Sequence, residues 1–344
     1  MRKNIFFFLL ILFTCCVRNE VENAKHIFLK DFDSLIELKG EILPTETLWK
    51  PVRIFFSDSV FLVVDNSYGD NFVLIYDREL NQIAEQVPKG IGPNESLVCW
   101  NIQIIAGNIW AFDPQTNQMK AYLKDDFLTK SHIIPQSIVT FKEQHLTMAL
   151  LSNNNFVGNN ITQKDHVLNL YEHDGVKNMS KYAHYPKLAA DDNKTIIEKN
   201  RLFENRVIYS EKHKKIVVLY IYTDLLEIYD EELNLISRIH GPDQFIPALT
   251  SDGSPTKETR LAYNIGCITS DEIWALYNGD FYSNVVSPSS IKYPHKMLVF
   301  DFLGKPLRSY NLEYPLHSFC IDEENRIIYG LSELEEYSIV KYKY

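Results

Sequence analysis

A short apolar run, a polar turn and a second apolar run recur six times along this chain. The clearest copy is Cys320-Ile321-Asp322-Glu323-Glu324-Asn325-Arg326-Ile327-Ile328-Tyr329. Cys267-Ile268-Thr269-Ser270-Asp271-Glu272-Ile273-Trp274-Ala275-Leu276 repeats it one residue shorter, and residues 54–65 repeat it again. The second run of each copy begins at Val60, Ile109, Phe156, Ile216, Ile273 and Ile327, 47 to 60 residues apart. That spacing lies at or slightly above one four-stranded propeller blade. A third apolar run follows each time and ends in an acidic or polar turn. Tyr76-Asp77-Arg78-Glu79-Leu80-Asn81 returns 153 residues later as Tyr229-Asp230-Glu231-Glu232-Leu233-Asn234. Such turns, like Asp174-Gly175 and Leu303-Gly304, suit tight hairpins.

Each unit therefore reads as four strands whose apolar faces only a neighbouring unit can cover. Six units predict an all-β fold, a six-bladed β-propeller spanning residues 27–344. A propeller closes radially and leaves few exposed strand edges. The last unit stops after the strand Ser338–Tyr342, so an N-terminal strand is expected to close the last blade, drawn from Ile27 to Leu38. Three stretches break the repeat: Lys177–Asn205, Gly241–Ala262 and Tyr277–Lys296. Within the first, Asp191–Arg201 suits a short helix capped by Asp191 or Asp192. Long insertions on a regular scaffold either carry function or are tolerated loops.

The N-terminus has a different pattern. Arg2 and Lys3 precede an unbroken apolar run, Ile5 to Phe13, which is too short to span a bilayer and suits an export signal. The run enters Thr14-Cys15-Cys16, which resembles the lipobox of bacterial lipoproteins. By that resemblance residues 1–15 are a signal peptide, Cys16 carries the lipid, and residues 16–26 form a tether. Cys15 would serve with Thr14 before the cut. A core strand or an ordinary cleaved signal are the other readings.

The 344 residues are 45% hydrophobic, with 20 Phe and 20 Tyr, enough for a large core rich in strand formers. The net charge is −10, without a basic cluster beyond the first three residues, which argues against nucleic acid as a partner. Cys99, Cys267 and Cys320 form no even-numbered disulfide set and no metal-ligand spacing, so they read as buried thiols.

Lys89-Gly90-Ile91-Gly92-Pro93-Asn94-Glu95 resembles the Gly-x-Gly-Pro-x-Glu link after the first blade of TolB-like six-bladed propeller lipoproteins of Bacteroidetes. Tyr263-Asn264-Ile265, Glu272–Tyr277, Val299–Leu307 and Phe319–Asn325 resemble that family's ending in order and spacing. The resemblance implies a propeller held on the cell envelope, in the outer membrane, and carries over no activity to particular residues. The Gly-Pro link itself suits either a sharp crossing between blades or a binding role.

No nucleophile elbow, His-Glu-x-x-His, phosphate-binding loop or EF-hand loop is present in the sequence. No catalytic residue, metal site or cofactor is therefore assigned. Propeller ligands usually sit at a channel mouth, where inner strands begin. The expected residues there are Arg53, Asn101, His145, Arg206, Asn264 and His317, a polar to basic set suited to a sugar, a carboxylate or a peptide terminus. Solvated strand ends are the simpler reading. His145 and His317 would suit general acid–base work only if the fold brought them together. The hairpin acids Asp77, Asp230 and Asp301 suit capping of backbone amides better than calcium. Two functions remain open. One is a non-catalytic, envelope-tethered binding or scaffolding propeller for a protein or glycan partner, with the membrane reached through its lipid. The other is an envelope hydrolase or lyase with its active site at a channel mouth.

Overall fold

The computed structural model describes residues 24–27, 29–44, 48–67, 69–162, 164–172, 180–187, 194–245, 247–287, 290–334 and 336–344. The expected signal peptide, Cys16, the turn Asp174-Gly175 and the caps Asp191 and Asp192 lie outside them. Six antiparallel sheets of matching order make the blades of a propeller, as the repeat predicts. Their inner strands are Pro51–Ser57, Asn101–Ile105, Met148–Leu150, Asn205–Ser210, Tyr263–Ile268 and Ser318–Asp322. All six run in the same sense along a central channel. The loops between second and third strands, and the links between blades, therefore share the face where the inner strands begin. The tight hairpins occupy the opposite face.

No blade has a core of its own. The buried apolar residues fall into six clusters, one at each contact between neighbouring blades. Leu62, Val64 and Val73 of blade 1 meet Ile102, Ile109 and Tyr122 of blade 2. Leu331 and Ile339 of blade 6 meet Ile54, Phe61 and Leu74 of blade 1, which closes the ring. Both faces of the second and third strands are covered, and several of these strands read as continuous apolar runs such as Val73–Tyr76. At roughly 25 cal/mol per Å² of apolar surface removed from water, these six contacts dominate the stability of the fold.

The repeated hairpin has a physical reason. Asp77 Oδ1 accepts the Asn81 amide and its Oδ2 the Asn81 side chain, 2.8 and 2.9 Å away. Asp230 and Asn234 repeat both bonds, and Asp301 accepts the amides of Leu303 and Lys305. Leu80, Leu233 and Gly304 take the left-handed position of this turn, with φ of 65°, 56° and 77°. The two leucines accept that conformation because their side chains are buried between blades. These acids cap amides, and among the described residues no group of three or more His, Cys, Asp or Glu is arranged to hold a metal.

An N-terminal strand does close the last blade, but it is Gly40–Leu43 and not a strand within Ile27–Leu38. It pairs antiparallel with Ile339–Tyr342 as the fourth strand of blade 6. The preceding segments lie parallel on the rims of two other blades. Ala24–His26, the last three residues of the expected tether, runs beside Arg238–His240 of blade 4, and Leu35–Leu38 beside Ser309–Leu312 of blade 5. The N-terminus thus straps three successive blades before entering blade 1. Gly40 suits the closing position because an added Cβ would lie 2.7 Å from the Tyr314 ring and 2.8 Å from Val340. The short helix is Ile196–Leu202, capped by Thr195 in a capping box with Glu198, so it begins later than expected.

The closing contact is testable. Gly40→Ala overpacks blade 6 and is expected to cost about 1–3 kcal/mol, read as a lower midpoint in reversible denaturation. Ile83→Ala, on an exposed outer-strand position, is the control and should leave the midpoint unchanged.

Candidate functional site

The central channel encloses about 270 Å³ and draws its wall from all six inner strands. Alternate residues of a strand face one side, so the inner strands of all blades but the fifth bring a polar residue to the channel near their start, with apolar residues further in. Arg53, Trp100, Asn101, Thr147 and Arg206 belong to the starting end, while Phe55, Ile208, Gly266, Phe319 and Ile321 lie deeper. Among the described residues the lining contains neither a carboxylate nor an imidazole.

Arg53 and Arg206 come from blades 1 and 4, opposite each other across the ring. Burial, and then the charge of Arg206, lower the Arg53 pKa to about 9. Burial lowers that of Arg206 as well, against the opposing pull of Glu204 and Tyr222. Arg53 donates from Nη1 to its neighbour's carbonyl, Val52 O, at 2.7 Å. The Nε of Arg206 is buried without a hydrogen-bond partner among the described residues, as are Trp100 Nε1 and Thr147 Oγ1.

Of the six expected mouth residues, the structure brings Arg53, Asn101 and Arg206 to the channel wall. The other three do not line it. His145 is fully buried in blade 3, where Nδ1 donates to the Asn159 carbonyl (2.6 Å) and Nε2 accepts from the Tyr171 hydroxyl (2.8 Å). The channel residue of that blade is Thr147, two positions on. His317 turns sideways, donates from Nε2 to the carbonyl of Pro51 (3.0 Å) and packs against Tyr293, so it fastens blade 6 to blade 1. Asn264 donates to the His317 carbonyl and joins blade 5 to blade 6. His145 and His317 lie in opposite blades and form no acid–base pair.

Trp100 and Thr147 line the candidate site and were missed by sequence reasoning. A polar residue two before Ala149 was the available signal for Thr147. Gln103 was missed too: its amide bonds both backbone groups of Leu150 (2.9 and 2.8 Å), tying blade 2 to blade 3 beneath the mouth. Cys267 and Cys320 are free thiols in the wall. Burial pushes Cys267 up to about 12 and raises Cys320 well above the ordinary thiol value, so neither is a thiolate nucleophile near neutrality.

The Gly-Pro link is a self-contained turn. The Gly92 amide donates to Glu95 Oε2 (2.7 Å), and the fully buried Lys120 donates to the Glu95 carbonyl and to Ser96 Oγ. Gly90 has φ +153°, and a side chain there would strike the Glu95 carboxylate. The three insertions pack together on the face of the channel mouth. Arg260 lies between the rings of Phe245 and Phe281, and Arg201 lies over Tyr222, itself beside Tyr282. The Tyr282 amide donates to Thr259, and Gly253 sits against Ile197 and Arg201.

Fold and site together define a six-bladed propeller with a cationic channel mouth crowned by its long loops. The chain belongs to the TolB-like 6-blade propeller-like family, whose pattern matches residues 31–324. Its fold is similar to that of a Bacteroides fragilis protein described as exported, with TM-score 0.56 and 14% identity over 93% of this chain and 98% of that one. It is also similar to a member of the DUF4221 family from Bacteroides vulgatus, with TM-score 0.54 and 10% identity over 90% and 96% of the two chains. No curated protein matches the chain.

The buried histidines generate a pH prediction. Burial lowers both to about 4, against an ordinary value near 6.5. The folded state therefore favours neutral imidazole, its contribution is complete above about pH 6.5, and it is lost as pH falls towards 4. Each histidine is worth up to about 3 kcal/mol across that window. His317→Gln should flatten the fall of the unfolding midpoint between pH 6.5 and 4. The comparison with wild type is essential, because Asp224, raised by burial to about 6, acts in the opposite sense.

Proposed function

We propose that this protein is a lipoprotein of the bacterial cell envelope, anchored through Cys16, whose propeller acts as a non-catalytic binding or scaffolding module for a protein or glycan partner. The observation that carries the reading is the composition of one face. It holds the cationic channel mouth, the three packed insertions and several exposed apolar side chains on its loops and links. Ile91 is 93% exposed and Trp49 59%, and Leu97, Phe281 and Leu334 are exposed as well. Apolar side chains displayed on loops beside a polar pocket are a usual mark of an interaction surface. The hydrolase or lyase reading needs carboxylates or an imidazole gathered at the mouth, and the described lining residues include neither.

The outer membrane is the expected location, with the propeller joined to its anchor by the residues between Cys16 and the rim strand Ala24–His26. Growth with a clickable fatty acid, followed by fractionation, tests the anchor. The wild-type chain should carry the label and sediment with membranes, and Cys16→Ala should lose both properties. Mild crosslinking in the same cells should capture one stoichiometric partner with wild type and not with Cys16→Ala. Persistence of the label in Cys16→Ala would reject Cys16 as the lipid site.

A further inference from the structure

The channel mouth has too many donors and too few acceptors. Two guanidiniums face one narrow channel, and none of its described lining residues is a carboxylate. Among the described residues, Arg206 Nε, Trp100 Nε1 and Thr147 Oγ1 lack hydrogen-bond partners. Both arginines are half-buried, with the Nε of Arg206 fully so; a charge held partly from water without a close partner is unfavourable, and so is each unsatisfied buried donor. The chain as a whole is acidic, at −10. Elsewhere in the chain a buried guanidinium is paired inside the protein: Arg238 donates to Glu227 at 2.5 Å, and Glu227 also accepts from Tyr220 and Tyr229. The mouth thus has donors left for an acceptor from outside the chain.

The wall below the mouth limits what carries that acceptor. Phe55, Ile208, Phe319 and Ile321 offer no hydrogen-bonding groups from their side chains. The Gln103 amide is already bonded to Leu150 and the Tyr209 hydroxyl to Ser152 and Glu231, so a sugar pushed past the arginines would lose more water from its hydroxyls than the wall replaces. The volume of about 270 Å³ lies just below the usual range of small-molecule sites, roughly 300–1,000 Å³, and suits one ring or one short alkyl chain. A planar carboxylate also matches the fork geometry of guanidinium better than a point charge does.

We infer that the channel binds a carboxylate carried on a compact apolar body, its oxygens held between Arg53 and Arg206 and its body directed along Phe55 and Ile208. This rests on the proposal that the mouth face is the binding face, and it names the ligand chemistry. Two sources share that chemistry: a free small carboxylic acid, and the C-terminal residue of a peptide ending in an apolar side chain. The group binds reversibly and no bond is made or broken.

Calorimetry on the purified protein with 4-phenylbutyrate, its neutral analogue 4-phenylbutanol, the tripeptide Ala-Ala-Phe, its C-terminal amide and galacturonate tests the inference. The two apolar carboxylates should bind, while the alcohol and the amide should not. Tighter binding by the tripeptide identifies a peptide terminus as the source, and tighter binding by phenylbutyrate a free acid. Arg53→Gln and Arg206→Gln should each weaken binding roughly ten- to a hundredfold. The same variants should melt about 2 °C higher than wild type without ligand, because each removes a poorly paired like charge. Arginines with a purely structural role would instead lower the melting temperature on substitution.

Binding of galacturonate without phenylbutyrate or tripeptide would overturn the apolar body and leave a binding propeller standing. No binding by any carboxylate, with both variants melting at or below wild type, would overturn the inference. In that case the partner captured through the Cys16 anchor still decides the wider reading.

Discussion

Every blade of this protein depends on its neighbours for a core. The six apolar clusters lie between blades, so no four-stranded sheet can bury its own faces, and the ring must close for any part of it to be dry. Closure is made by different means at different depths. At the rim it is Gly40–Leu43 completing blade 6. In the middle it is Leu331 and Ile339 against Ile54 and Phe61. At the inner strands it is the Ile54 amide on Ser318 Oγ, 3.1 Å away, and His317 on the carbonyl of Pro51. On the hairpin face Arg78 lies over Phe56 and pairs with Asp322.

The same closure creates the channel and dictates its chemistry. Inner strands that splay around an axis cannot fill it with side chains alone, so a cavity remains where they begin. The acidic residues of the chain are spent elsewhere, on capping. Asp65 accepts the amides of Trp49, Lys50 and Ser67; Asp113 accepts those of Leu97, Gln115 and Thr116; Asp224 accepts those of Asp243 and Gln244. These carboxylates pin the links between blades at the mouth face, and none of them lines the channel. The cationic mouth in an acidic protein follows from that division: acids hold the links, and Arg53 and Arg206 are left facing the void.

The fold was legible because the blade is a local object. Four strands joined by short turns write their period directly into the chain, and a hairpin such as Tyr76–Asn81 uses the same bonds as Tyr229–Asn234. The choice of closing strand was not legible, since Leu35–Leu38 and Gly40–Leu43 are both short segments that end in a sheet. Only the close approach of Tyr314 and Val340, far away in sequence, selects Gly40. At the site, Arg53, Asn101 and Arg206 could be read from strand alternation. His145 could not, because the inner strand of blade 3 has only three residues and follows an irregular link. A slip of two residues keeps the face and moves one rung along it. His317 stands directly before its strand, where the chain is free to turn the ring towards a neighbouring blade. Nothing local marks that turn.

The central claim is that the two channel arginines await an acceptor from outside the chain. A crystal structure of the protein purified from its own envelope, at a resolution that places individual waters, tests it most directly. The account predicts density for an oxygen-bearing group bridging Arg53 and Arg206, with an apolar extension lying along Phe55 and Ile208. A channel in which both guanidiniums pair with carboxylates of the chain itself, with only water between them, would contradict it.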